Sequence, residues 1–188
     1  MPNAYLLQQA WWRGESPDEK QWKERAYLSS EQYLKMLDPV WGGIWFGSRA
    51  GDYSGNYIHE RRSDHQAAAL SIFAWAYRID QQSRWLDAIN DIDRYLDRFM
   101  KSDEGLYFTS QEMYVFTTDG KLVEPEEYFS WDDASRSKFG MPTIDRSIYT
   151  DINARLAIAM SEIFQSTADE RWRERSLAII QKLDLRNR

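Results

Sequence analysis

Asp64 and Asp151 open two apolar runs at matching places, 87 positions apart. Carboxylates so placed are either first-turn helix charges or part of an acid–base set of the glycoside-cleaving kind. In such a set one acid protonates the leaving oxygen while the other activates water or attacks. The positive end of a helix keeps a nearby carboxylate ionised, which suits a base or nucleophile. The proton would then come from Glu60 or Glu112. The chain's two histidines, His59 and His65, crowd the same stretch as Glu60 and Asp64. They read as ligand-binding histidines beside a helix start. Their spacing matches no zinc motif, so neither a metal nor a cofactor is expected. Arg61 and Arg62 read as a solvated pair or an anion holder, and Tyr149 and Asn153, four apart, share a helix face.

The elements that must position these groups are helices. Cap-like pairs stand at Ser16 with Glu19, Ser63 with Gln66, Ser130 with Asp133 and Thr167 with Glu170. Three amphipathic stripes follow: Trp22, Ala26, Tyr33 and Leu37; Trp85, Ile89, Ile92, Leu96 and Phe99; Trp172, Ile179, Ile180 and Leu183. Residues 66–77 and 152–164 are apolar almost all round and predict buried helices, with Ala4 to Trp12 a shorter third. Buried and half-buried helices therefore alternate, as in stacked helical hairpins.

Self-comparison strengthens this. The offset of 87 also pairs Gln66 with Asn153, Phe73 with Met160 and Trp85 with Trp172. An offset of 62 pairs Gly43 with Gly105, Trp45 with Tyr107 and Phe46 with Phe108. Fixed offsets mark a repeat, here inner helix, outer helix, then Gly–aliphatic–aromatic–Phe, with the glycine expected to end the outer helix. Trp45 and Tyr107 either pack or stack on a ligand. The second long loop carries a β-hairpin turned at Asp119–Gly120 and a short helix from Trp131 to Lys138, stopped at Gly140.

The bulk numbers bound the rest. One domain, residues 1–188, is expected from the length. A net charge of −6 speaks against nucleic acid or anionic membrane as the main partner. Cysteine is absent, which removes disulfide and thiolate chemistry. No signal segment or membrane span is legible, so a cytoplasmic location is the default expectation.

The phrases "LDPVWGGIW", "HERRSDHQAAALSIFAWAYR", "EGLYFTSQE" and "FGMPTIDRSIYTDINARLAIAM" resemble the bacterial thioredoxin-domain-containing family related to spermatogenesis-associated protein 20, from about Leu37 to Thr167. That family implies an α/α-toroid similar to N-acylglucosamine 2-epimerases and six-hairpin glycosidases. The chain departs from it in lacking the thioredoxin domain. It also reads Ser110–Gln111–Glu112–Met113–Tyr114 where the family has Ser-Gln-Asp-Ala-Asp. The fold expectation is all-α: a partial toroid of about three helical hairpins, with a small β-hairpin in a long loop.

In a toroid the starts of the inner helices gather at one mouth. That would place Ser110, Gln111, Asp145, Tyr149 and Asn153 beside the four acids, the two histidines, Trp45 and Tyr107. The resemblance implies a small, polar, carbohydrate-like ligand. Any catalysis would be glycosidase-like, or epimerase-like with the histidines as an acid–base pair. The competing expectation is a non-catalytic interaction module that docks a thioredoxin-like partner or a second copy. Three hairpins leave a flank uncovered, so a homo-oligomer or a larger chain is expected.

Overall fold

The computed structural model describes residues 2–13, 17–49 and 55–186, and the Ser16 cap lies outside them. The runs that are apolar on nearly every side become the inner helices α1 (Pro2–Arg13), α3 (Ser63–Asp80) and α7 (Thr150–Thr167). Each is followed by an outer helix: α2 (Pro17–Leu34), α4 (Ser83–Tyr95) and α8 (Glu170–Arg186). α4 runs on through a π-helical turn, Leu96–Met100. Trp85 and Trp172, equivalent in the repeat, are almost wholly buried where the outer helices meet the core. Burying side chains of this kind contributes roughly 1.5–3 kcal/mol each.

Not every stripe residue goes inward. Trp22 is 51% exposed and Ile180 likewise 51%. α2 stops at Leu34 because Pro39 lies ahead, so Leu37 leaves the helix and bridges Ile44 instead.

Three short strands fix the direction of the inner helices. β3 (Arg61–Arg62) and β7 (Ile144–Asp145) both pair antiparallel with the central β4 (Ser110–Gln111). They therefore run parallel to each other, and α3 and α7, which follow them, start at the same end and pack along their length. The Trp75 indole of α3 donates to Glu162 of α7 at 3.0 Å, level with it by the same offset of 87. α1 runs alongside in the same sense: Ala4 and Tyr5 lie near Asp64, and Trp12 meets the Trp75 ring edge-on at 6.1 Å. A further pair, β1 (Gly47–Ser48) with β2 (Tyr57–Ile58), flanks this sheet in sequence. The expected hairpin forms as β5 (Val115–Phe116) with β6 (Leu122–Val123), and Gly120 takes the positive φ that its turn demands.

The repeated Gly–aliphatic–aromatic segment owes its place to a side-chain amide. The Gln66 carbonyl accepts from the Ile44 N–H and its NH2 donates to the Ile44 carbonyl, both at 2.7 Å. Asn153, its repeat equivalent, does the same to Tyr107, at 2.7 and 3.0 Å. Each amide acts as a one-residue strand partner that staples the segment across the inner helix. Contrary to the sequence expectation, the glycines do not end the outer helices. Gly43, with φ of 76°, lies in the turn between the bridged residues Leu37 and Ile44, and a Cβ there would sit 2.7 Å from the Tyr95 ring.

The caps also differ from expectation. Ser63 donates to the Phe108 carbonyl, and Gln66 is spent on Ile44. Asp132, not Ser130, caps α6 (Asp133–Phe139), which follows the short α5 (Pro125–Ser130). Thr167 turns its hydroxyl back to Ile163 and accepts from the Asp169 N–H, so no box forms with Glu170. α3 and α7 end on equivalent left-handed residues, Gln81 (φ 58°) and Ala168 (φ 57°). A side chain costs energy in that conformation. Ala168→Gly is expected to stabilise the fold by about 1 kcal/mol in urea denaturation.

Candidate functional site

The three-stranded sheet gives its residues two fates. Arg61 and Gln111 face each other and point inward, both fully buried. Arg62, Ser110 and Asp145 form the next row and point out. The same register sets Glu60 opposite Glu112, on the outward face as well. The starts of α3 and α7 border this face, so one rim carries Glu60, Asp64, Glu112 and Asp145, with Tyr149 and Asp151 at the head of α7. Neither N-cap, Arg62 nor Tyr149, caps its helix with a side chain.

The rim acids differ in surroundings. Glu60 is half-buried, and its carboxyl is pushed above the usual range, first by desolvation and then by the negative charge of Glu112. Asp64 receives a two-pronged bond from Arg62, at 3.1 and 3.0 Å, and also accepts from the His65 N–H. Asp145 is exposed and is held below the ordinary carboxylate range by the Ser147 N–H. Asp151, Glu112 and Tyr149 are exposed.

The other sequence candidates lie beneath the rim. Trp45 and Tyr107 are buried in packing and offer a ligand no stacking face. Trp45 sits against Tyr57 and His59, and the Tyr107 hydroxyl accepts from Arg175 at 2.8 Å. Burial lifts the Tyr107 hydroxyl to about 12. Gln111 accepts from the Tyr95 hydroxyl, and Asn153 serves the staple described above. His59 is 5% exposed and lies parallel to the Phe129 ring at 4.8 Å. His65 stacks on Phe46 at 4.5 Å, and burial lowers its pKa. The two histidines therefore stand in separate aromatic settings. Among the described residues, no group of three or more histidines or acids could hold a metal.

The paired arginines divide by strand alternation. Arg62 serves Asp64, whereas Arg61 donates to the fully buried Asp38 at 2.7 Å. Arg136 of α6 joins the same carboxylate at 2.6 Å. This triad fastens the α5–α6 segment beneath the rim. It was not read from sequence, because nothing local links residues 38, 61 and 136.

Sequence reading also missed a cleft of about 270 Å3 that runs from Asp64 between α1, α3 and α7. Ala67, Ala68 and Ser71 leave it open by their small size, and Trp75 closes its far end. Arg155 and Glu162 line one wall. The available signal was Glu162, a lone acid in an otherwise apolar run.

Burial lowers the His59 pKa to about 4. The unfolded chain takes up this proton near 6.5 while the folded chain resists it, so stability is complete above about 6.5 and falls as pH drops toward 4. Urea denaturation should show a loss on the order of 3 kcal/mol across that window. His59→Phe should flatten that slope.

No family model matches the chain, and no curated protein matches it. Solved structures do. A family 76 glycoside hydrolase from a bovine Bacteroides thetaiotaomicron strain aligns over 97% of this chain with a TM-score of 0.65 and 10% identity. An inactive α-1,6-mannanase variant from Salegentibacter sp., in complex with α-1,6-mannotriose, aligns over 96% with a TM-score of 0.63 and 15% identity. Cellobiose 2-epimerase from Bacillus thermoamylovorans aligns over 96% with 0.64 and 14%. The chain spans 33%, 44% and 42% of their respective lengths. None of these comparisons supports the thioredoxin-domain family suggested by the sequence phrases. The fold is that of a partial α/α toroid.

Proposed function

We propose that the rim binds a small carbohydrate and that Glu60 and Glu112 act there as an acid–base pair. The observation that carries this reading is the raised proton affinity of Glu60 opposite the exposed Glu112. Two facing carboxylates with unlike surroundings divide the labour of acetal cleavage: the one whose proton affinity is raised gives the proton, and the other assists the attacking water. Asp64, steadied by Arg62, supplies a fixed acceptor for sugar hydroxyls, and Asp145 and Ser110 extend the polar surface. The toroid neighbours, which are named as mannanases and an epimerase, support a sugar ligand.

Hydrolysis fits better than epimerisation. An epimerase of the histidine type needs two histidines facing one carbon, and here His59 is buried against Phe129, apart from His65. The Salegentibacter mannanase variant is inactive with two adjacent aspartates replaced. This chain has one adjacent aspartate pair, Asp132–Asp133. Asp132 caps α6, and Asp133 holds the Trp41 indole and Arg98, so both have structural employment.

A sugar-library binding screen tests the reading. Asp64→Asn is expected to weaken the best ligand about tenfold, the scale of one charge-assisted hydrogen bond. Any glycosidase activity should fall on Glu60→Gln and decline above the Glu60 pKa. Absence of all sugar binding, or binding indifferent to Asp64→Asn, would overturn the assignment.

A second reading, an interaction module, has its own observation. Ile158, Leu177 and Ile180 stand 59%, 46% and 51% exposed along a groove of about 650 Å3 on α7 and α8. Another copy of the chain covering this flank would complete the stack of hairpins. Sedimentation should then show a dimer that Ile180→Glu dissociates. A monomer that binds no hydrophobic dye would remove this reading.

A further inference from the structure

Past β4 the chain keeps its alternation of burial and changes its chemistry. Ser110 and Glu112 point out, while Gln111 and Met113 are buried. Val115 is buried again, and Tyr114 and Phe116 stand 42% and 60% exposed. The register with β7 carries on alongside. The Glu112 N–H donates to the Thr143 carbonyl at 2.8 Å. One step further Met113 and Pro142 are both buried, and one step beyond that Tyr114 and Met141 are both exposed. In the hairpin itself Val115 and Val123 pair on the buried face, so Phe116 and its partner Leu122 share the open one.

The outcome is an apolar strip of Tyr114, Met141, Phe116 and Leu122 that begins beside the acid pair. Tyr114 is two residues from Glu112, at most about 7 Å along the chain, and Phe116 is four, at most about 14 Å. Among the described residues no ring or cation covers either aromatic side chain. Exposed apolar surface gathered in one place marks a binding site. Four part-exposed side chains fall well short of the roughly 800 Å2 per partner that a stable protein interface buries. A narrow strip suits an extended ligand better. Sugar rings present flat C–H faces that lie on aromatic rings while their hydroxyls stay in water. The strip also continues from the place where one sugar would meet Glu60 and Glu112.

We infer that Tyr114 and Phe116 form the stacking platform for a chain of sugars, in which the unit at the acid pair is followed by further rings along the strip. This rests on the carbohydrate reading of the rim and extends it by making the substrate an oligosaccharide gripped on the Glu112 side. The stacking role thereby falls to the hairpin and not to the buried Trp45 and Tyr107.

Calorimetric titration with mannose and α-1,6-mannotetraose, and with glucose and cellotetraose, tests the inference. In at least one series the tetrasaccharide is expected to bind about tenfold or more tightly than its monosaccharide. Tyr114→Ala combined with Phe116→Ala should bring that tetrasaccharide to within about threefold of the monosaccharide, and leave the monosaccharide within about twofold of wild type. Each single variant should fall between. Thermal melts report whether the fold is intact, and the single variants carry the test if the double one is unstable. Monosaccharide binding with no gain from length would overturn the inference while leaving the rim reading standing. So would a length preference that survives both substitutions. A wild-type dimer that Phe116→Ala dissociates, with no length effect, would assign the strip to a second copy and overturn it too. Failure of every sugar to bind would remove both readings.

Discussion

One buried carboxylate organises this molecule. Asp38 lies in the turn after the first outer helix and receives Arg61 from the strand that leads into α3 and Arg136 from α6. All three side chains are fully buried. Two cations on one anion leave a surplus positive charge, and several guanidinium N–H groups lack an acceptor among the described residues. Ring faces take their place: Arg61 lies over Tyr95 at 4.8 Å and Phe129 at 5.0 Å, and Arg136 over Trp41 at 5.0 Å. Such a cluster is weak evidence for stability relative to an apolar core, but breaking it is severe. Loss of one partner from a buried pair costs roughly 3–5 kcal/mol. Its consequence here is register. With Arg61 committed inward, strand alternation sends Glu60 and Arg62 outward, and the rim acquires its charges.

The side-chain amides extend the same logic to both repeats. Gln66 and Asn153 each satisfy a backbone N–H and carbonyl that would otherwise be buried without partners. The extra methylene of Gln66 reaches Ile44, while the shorter Asn153 reaches Tyr107. Two helices, each stapled to its own aromatic segment and joined through β4, present their first turns side by side. The carboxylate surroundings then follow from position. Glu60 is partly desolvated beside Glu112, Asp64 is ion-paired, and Asp151 is in water.

Much of this was legible in the chain. The alternation of fully apolar and striped helices, the offset of 87 and the Asp119–Gly120 turn each reflect local periodicity or turn chemistry, which sequence records directly. The sequence left the proton source open between Glu60 and Glu112, because their surroundings depend on strands 50 residues apart. What failed were pairings that depend on distant partners. Ser63 and Gln66 have the spacing of a capping box, yet Gln66 is claimed by Ile44, 22 residues away. The conspicuous aromatics Trp45 and Tyr107, which from sequence could pack or stack on a ligand, are packed under the rim, where the staple draws them in. Arg61 and Arg62 looked alike because a two-residue strand is too short to reveal which face each takes. Glu162 was passed over because its meaning lies in Trp75, on another helix.

The central claim is that the inner helices begin together, so that acids far apart in sequence share one rim. The absence of cysteine makes this directly measurable, because spin labels attach only where a cysteine is introduced. Asp64→Cys and Asp151→Cys in one chain, read by dipolar electron resonance, should give a short separation. Packed parallel helices lie about 8–10 Å apart, so labels on their first turns are expected within roughly 20 Å. Helices of this length running in opposite senses would hold the labels about 27 Å apart or more, and that result would contradict the account.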